Sequence, residues 1–492
     1  MTDIDIAIVG AGFGGLGAAI RLRQAGFTDF LLFDAGEDVG GTWRDNTYPG
    51  CACDVPSHLY SFSFARNPDW SNTFSGQAEI WAYLRRCADD FGLRPHLRFR
   101  HLVREAVWDG AAQRWRIETS GGAYTARVLI SAAGPLSDPS IPDIPGIEAF
   151  QGTVFHSARW RHDVDLTGRQ VAVIGTGASA VQFVPQIQPL VGRLTLFQRT
   201  PAWIMHRGAR RISRAERFLY RHVPGAQRLV RTGLYWMRDG MGVGFLHPAV
   251  NRLASKISLR TLRRQVRDPE LRAKLTPAYA MGCKRVLISN DYWPSLTNPN
   301  VRVEAAGIAR IEPDGVVSAD GVKHPADTII LGTGFHVTDA PIMRHIRGTD
   351  GRSLAETWTP SMYAHRGTTV PGFPNLFLLL GPNTGLGHTS VVLMIEAQLK
   401  LVVNALKHMR SRGIVAMEPT AEAQRDWSAE VDRKMAGTVW HTGCASWYLD
   451  ASGRNTTIWP GFATSFRLKL RSFHPAEYAA VAPTLERRYA DV

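Results

Sequence analysis

Ile4-Asp-Ile-Ala-Ile-Val-Gly-Ala-Gly-Phe-Gly-Gly15 is the stretch on which the fold turns. A short apolar run ending in glycines reads as a buried parallel strand followed by a tight turn. Gly10 permits the turn, Gly12 lets backbone approach a pyrophosphate, and Gly14 and Gly15 open a helix that packs closely on the strand. That helix continues through Ala18-Ala-Ile-Arg-Leu-Arg23. A second strand, Phe30-Leu-Leu-Phe33, ends at Asp34, where a carboxylate binds ribose hydroxyls. Strand, glycines, helix, strand and acid in this order specify a dinucleotide-binding βαβ unit.

The design recurs. Gln170-Val-Ala-Val-Ile174 runs into Gly175-Thr-Gly-Ala-Ser-Ala180, but the following strand, Leu194-Thr-Leu-Phe197, ends in Gln198-Arg199-Thr200 rather than an acid. An acid would repel a ribose 2′-phosphate, whereas Arg199 would pair with it, so the second cofactor reads as NADP. Lys284 could add a second charge there, and in an extended segment its neighbour Arg285 would point the opposite way. Between the two fingerprints lies Phe150-Gln-Gly-Thr-Val-Phe-His-Ser-Ala-Arg-Trp160, an aromatic segment with a histidine placed to couple two sites.

The 492 residues, 45% hydrophobic and 20% charged, suffice for two or three cored domains. The net charge of +14 is concentrated: residues 204–275 hold 17 Lys/Arg against 4 Asp/Glu. Such a helical segment is a solvated face, a means of steering an anionic cofactor, or a membrane-surface contact. No nucleic-acid motif accompanies it. The chain has no run of about 18 apolar residues and no cleavable N-terminal signal, which reads as cytoplasmic. Cys51, Cys53, Cys87, Cys283 and Cys444 are too few and unevenly spaced to suggest a disulfide framework or a metal site.

Gly40-Gly-Thr-Trp-Arg-Asp-Asn-Thr-Tyr-Pro-Gly-Cys-Ala-Cys-Asp54 reads as an irregular loop able to wrap a flavin, with Asp54 either functional or a turn cap. Phe74 to Arg86 is predicted helical. Residues 101–126 read as a small β-meander in which Val103 could set its backbone against an adenine, and Val128 to Gly134 as a separate buried strand. Pro135 to Pro145 is a linker, and Asp327 to Phe335 a strand leading back to the first domain. Gly385, Gly387 and His388 precede a helix beginning near Ser390. The expected fold is α/β, with two Rossmann-like dinucleotide-binding domains. Residues 1–145 and 345–492 form an FAD domain, 146–203 and 282–344 an NADP domain, and 204–281 a helical insertion in the latter.

Phe150, Gly152, His156 and Trp160 fit F-x-G-x-x-x-H-x-x-x-W, and in this the chain resembles the type I Baeyer–Villiger monooxygenases. Gly41-Thr-Trp43, Tyr48-Pro-Gly50 and Asp54 fit a second pattern of that family, as do Leu331 to Phe335 and Gly381 to Gly387. Arg161 departs from the Pro or Asp usual after the tryptophan. The resemblance implies FAD and NADPH as cofactors, and a C4a-peroxyflavin that inserts oxygen beside a ketone carbonyl to give an ester or lactone. Sulfide oxidation is an implied side activity, and the alternative is an N- or S-oxidising flavin monooxygenase. It further implies that Arg285 and Asp54 are catalytic and also touch cofactor. Thr42, Trp43, Tyr60, Thr176, Gly177, Ser179, Ala180, Gln182 and Thr200 are implied cofactor contacts, and His156 and Trp160 domain-coupling residues.

Overall fold

The computed structural model describes residues 1–484 apart from Ala445; the end of the expected first domain, 485–492, lies outside the described residues. Its larger sheet is centred on Thr2–Val9, which pairs in parallel with Phe30–Phe33 on one side and Gly122–Ser131 on the other. Residue parity divides the core. Ile6, Ile8, Phe30 and Leu32 face the helices Phe13–Gln24, Gln77–Asp90 and Val391–Arg412. Ala7, Val9, Leu31 and Phe33 face Trp108, Trp115 and the residues around Trp358. Both faces of the central strand are covered, which is why it reads as an unbroken apolar run.

One sequence expectation is corrected here. The meander and the buried strand at Val128 are not separate elements, because Gly122–Ser131 is a single strand. Its first half pairs antiparallel with Arg114–Thr119 and alternates between exposed and buried residues. Its second half is buried throughout and pairs in parallel with Leu376–Leu378. The change of environment along one strand produced two different hydrophobic patterns. The helix expected from Phe74 starts later, at Gln77.

The second sheet is wholly parallel, in the order Val301–Glu304, Arg193–Phe197, Gln170–Ile174, Thr328–Leu331, Thr153–His156. The segment between the fingerprints thus supplies its edge strand. The helical insertion leaves at Ile204–Met205 and returns at Leu287–Ile288, two short strands that pair and close its base. It contains helices Arg214–His222, Ala226–Gly240, Val243–Leu246, Pro248–Gln265 and Pro269–Lys274. Its helix starts follow local rules: Ser213 and Glu216 form a capping box, and Asp268 caps a helix that begins with Pro269. Among the described residues no helix is long and apolar enough to cross a membrane.

Cys283 and Cys444 form a disulfide, a single bond that the odd, sparse cysteine set did not suggest, while Cys51, Cys53 and Cys87 are free. The bonded pair is 161 residues apart, so only docking of the tail brings the two together. The bond ties the tail to the segment carrying Lys284 and Arg285.

Two linkers join the sheets and run side by side. Ser140 N donates to Gly334 O at 2.9 Å, His336 N to Asp138 O at 3.0 Å, and Thr333 Oγ1 to Ser140 O at 2.6 Å. His156 sits at this crossing. Its Nδ1 accepts from Ala158 N at 3.1 Å and its ring meets Phe335 edge-on at 5.8 Å. It also borders a cavity of about 450 Å³ shared with Asp138, Pro139, Arg159 and Leu331. Trp160 packs on Phe155 and Phe183, and Phe183 in turn meets Tyr48 of the first nucleotide fold.

Burial lowers the His156 pKa from 6.5 to about 4, so the ring is neutral in the fold. The unfolded chain therefore takes up the proton first as pH falls, and stability is lost between the two values. His58, also lowered to about 4 by burial, acts in the same window. Between about pH 7 and about pH 5 each histidine contributes a loss of up to about 2 kcal/mol. His156→Gln is expected to remove one of these contributions, read as a smaller shift of the urea midpoint between the two pH values.

Candidate active site between the two nucleotide folds

The first cradle is built from backbone that leaves no room for side chains. Gly10 has φ +100°, and a Cβ there would lie 2.5 Å from Ala132 O. A Cβ on Gly15 would collide with Gly10 O, and Gly12 lies against Gly41. Gly14 abuts Ala132, and the helix that starts after Gly12 has no side-chain cap. Its first amides point into the cradle, as pyrophosphate binding requires. Asp34 ends the second strand, but its carboxylate is already engaged by the protein. Oδ2 accepts from Ala11 N at 2.8 Å, and Oδ1 accepts from Gly36 N at 2.8 Å and Arg44 Nη1 at 2.6 Å. Asp34 thus fixes the glycine turn, and a ribose would have to share its oxygens. Thr42 and Trp43 begin the short helix Thr42–Asp45, and Trp43 Nε1 donates to the Tyr60 hydroxyl at 3.1 Å. Val103 is buried at the start of its strand.

The second cradle repeats the first. Gly175 has φ +108° and a Cβ would overlap Gly332 O, while Ala180 is the small residue that packs against Gly332. Gly177 precedes helix Ala178–Ile187, and Thr176 Oγ1 donates to Thr200 O at 3.0 Å. Arg199 and Lys284 come together although 85 positions apart in the chain. The Lys284 pKa is lowered, first by burial and then by the charge of Arg199. Neither has a carboxylate partner among the described residues; Arg199 is exposed and Lys284 half-buried over the Tyr279 ring, so the couple is free to pair with a phosphate. Gln182 is bonded to the loop of the first fold. Its Oε1 accepts from the Tyr48 hydroxyl at 3.0 Å and Ala52 N at 3.2 Å, and its Nε2 donates to Ala52 O at 2.9 Å. Gln182 therefore fastens one nucleotide fold to the loop of the other, and Ser179 also meets Tyr48.

Arg285, next to Lys284 on the returning segment, meets Asp54 on the loop of the first fold. Nε and Nη2 of Arg285 both donate to Asp54 Oδ2, at 3.0 and 2.6 Å. The Asp54 charge raises the Arg285 pKa, outweighing the opposing effect of burial. The neighbouring Tyr448 phenol is pushed up to about 12, mainly by burial, with Arg285 acting in the opposite direction. Burial also raises Cys53 and Tyr60, so neither is ionised at neutral pH.

Two further guanidiniums escaped the sequence reading. Arg207 and Arg238 lie over Phe74, at 5.7 and 5.8 Å from its ring centre, and Arg207 Nη2 donates to Cys53 O at 3.3 Å. Burial lowers the pKa of both, and Asp54 partly offsets this. They belong to the basic segment, where no local signal separates them from their solvated neighbours. Nor does any local signal tie Tyr448, 163 positions further along the chain, to Arg285. Among the described residues no cluster of His, Cys, Asp or Glu could hold a metal ion.

These features fit two dinucleotides. Each glycine turn is packed so closely on neighbouring backbone that a Cβ would clash at Gly10, Gly15 or Gly175, each leads into an uncapped helix start, and the second has beside it a cationic couple with no carboxylate partner among the described residues.

The pyridine nucleotide-disulphide oxidoreductase family matches residues 7–212. A Baeyer–Villiger monooxygenase of Streptomyces coelicolor is 55% identical, covering 98% of this chain and 93% of that protein. A Baeyer–Villiger monooxygenase of Pseudomonas aeruginosa is 48% identical, covering 96% and 90%. The crystal structure of OTEMO in complex with FAD and NADP superimposes with a TM-score of 0.88 at 29% identity, over 97% of this chain and 99% of that one. With identity of this degree running almost end to end, the chain belongs to the Baeyer–Villiger monooxygenase family.

Proposed function

We propose that this chain is an FAD-containing, NADPH- and O₂-dependent monooxygenase that inserts an oxygen atom beside a ketone carbonyl. The product is an ester or lactone; the second oxygen atom leaves as water, and NADPH supplies the two electrons. The observation that carries this reading is the Arg285–Asp54 pair, a permanently charged guanidinium held between a loop of the first nucleotide fold and the returning segment of the second. Bound FAD supplies the redox chemistry, accepting hydride from NADPH and reacting with O₂.

The protein's own residues do the rest. Residues 1–145 and 345–492 would hold FAD, through the amides after Gly12 and through Thr42, Trp43, Tyr60 and Val103. Residues 146–203 and 282–344 would hold NADPH, through Gly175 to Ala180 and, for its 2′-phosphate, Arg199 and Lys284. Arg285 stabilises the oxyanion that grows on the substrate as the carbonyl carbon becomes tetrahedral. Asp54 aims it, using Nε and Nη2 and leaving Nη1 outside the pair. His156 and Trp160 sit away from this pair, so they act in coupling the two folds rather than in proton transfer. Oxygen transfer to a sulfide, which needs no oxyanion, is a side activity of the same site.

A panel of ketones and sulfides supplied with NADPH, scored by product mass, tests the reaction; sulfoxides or N-oxides with no ester from any ketone would refute it. Arg285→Ala is expected to keep its FAD and still oxidise NADPH, but to lose ester formation by about 10²-fold or more. Undiminished ester yield would remove Arg285 from its role. Arg199→Ala is expected to raise the KM for NADPH by about tenfold or more while leaving that for NADH within about threefold, consistent with loss of one charge-assisted phosphate contact. Equal losses for the two would mean that the 2′-phosphate is read elsewhere.

A further inference from the structure

Helix Ala226–Gly240 is inside out. Its buried stripe is Gln227, Arg231, Tyr235 and Asp239, spaced four residues apart, whereas Leu229, Thr232, Gly233, Trp236 and Met237 face outward. Leu229 is 75% exposed and Trp236 59%. A helix on a protein surface ordinarily shows the reverse arrangement. Its orientation is not free, because the polar stripe is consumed by tertiary bonds. Asp239 accepts from Ala463 N at 2.7 Å and Thr464 Oγ1 at 2.6 Å, and Arg231 donates to His58 O. Gln227 Nε2 donates to Asn67 O at 2.5 Å. Turning the helix to bury Leu229 and Trp236 would break all of these.

The rest of the insertion continues the pattern. Phe218 and Leu219 are exposed on helix Arg214–His222, which packs against the inverted one, and Val223 follows them. Helix Pro248–Gln265 exposes Val250, Leu253 and Ile257 at spacings of three and four, with Leu253 68% exposed. Interleaved with these are exposed bases, Arg214, Arg228, Arg252, Lys256, Arg260 and Arg263, none in an ion pair among the described residues. Of the four acids between residues 204 and 275, Asp239 is buried and Glu216 is bound to Arg210.

From this we infer that the helical insertion rests on an anionic lipid bilayer, with the Leu229–Trp236 stripe in the interface and the surrounding bases at the headgroups. Exposed aliphatics with a tryptophan, bordered by long basic side chains, match what an in-plane helix requires. A second copy of the chain fits poorly, since a two-fold contact would press one strongly basic insertion against another. An ordinary solvated face accounts for the charges but not for the apolar stripe. The inner side of the same helix carries Arg238 to Phe74, so the inferred membrane surface and the proposed catalytic pair lie on opposite sides of one element.

The test is co-sedimentation of the FAD-loaded full chain with vesicles of phosphatidylcholine alone or mixed with phosphatidylglycerol, at about 0.1 M and about 0.5 M salt. Strong binding to the mixed vesicles is expected, at least about tenfold weaker both with phosphatidylcholine alone and at the higher salt. The double variant Leu229→Glu with Trp236→Glu is expected to bind mixed vesicles at least about tenfold less, with unchanged flavin content and unfolding midpoint. Absence of sedimentation with the mixed vesicles overturns the inference. So does binding that the double variant leaves unchanged, or equal binding to neutral vesicles. A stable dimer by light scattering that the same variant dissociates, without vesicle binding by the parent, would assign the face to a second copy.

Discussion

Asp54 and Arg285 are 231 positions apart, on a loop of the first nucleotide fold and a returning segment of the second, and the pair exists only when both folds are docked. Bringing two charges out of water is expensive, and their mutual attraction alone rarely repays it. Such a pair contributes placement more than stability. What surrounds it is correspondingly rich in ties between the folds. Gln182 clasps Ala52 and Tyr48, Arg207 reaches Cys53, and the chain of rings from Trp160 through Phe183 to Tyr48 runs through the same junction. The guanidinium is held in position by the whole interface rather than by its carboxylate alone.

Charge in this cleft is unbalanced. Arg207, Arg238 and Arg285 all feel the carboxylate of Asp54, with Asp291 also acting on Arg207, and Arg199 stands beside Lys284, the residue before Arg285. In a partly buried site such groups resist being charged, as the lowered pKa values of Arg207, Arg238 and Lys284 record. An anionic cofactor would supply negative charge that these cations otherwise lack. The same field favours any negative charge that develops during the reaction.

The insertion is fastened by its polar side. Asp239 holds the start of helix Ala463–Lys469, and Arg231 and Gln227 hold the loop from His58 to Asn67. The disulfide between Cys283 and Cys444 closes the other end, linking the tail that carries Tyr448 to the segment that carries Arg285. Together these contacts make the insertion and tail one wall of the site. They also leave the apolar outer stripe uncovered among the described residues.

Much of this was legible in the residues. Strand, glycines and helix are local matters of spacing and periodicity, so both dinucleotide folds and the NADP assignment could be read directly. Where environment changes within one element, the pattern misled: Gly122–Ser131 reads as two strands because half of it lies under a meander and half under helices. Tertiary structure alone decided that Asp34 is bound by Arg44, that Gln182 is an interdomain clasp, that Cys283 meets Cys444, and that Arg207, Arg238 and Tyr448 stand beside Arg285. It also turned helix Ala226–Gly240 to bury its polar side. Local sequence determines which backbone shapes are affordable, but these pairings join residues tens to hundreds of positions apart, and only the docking of the two folds, the insertion and the tail selects among them.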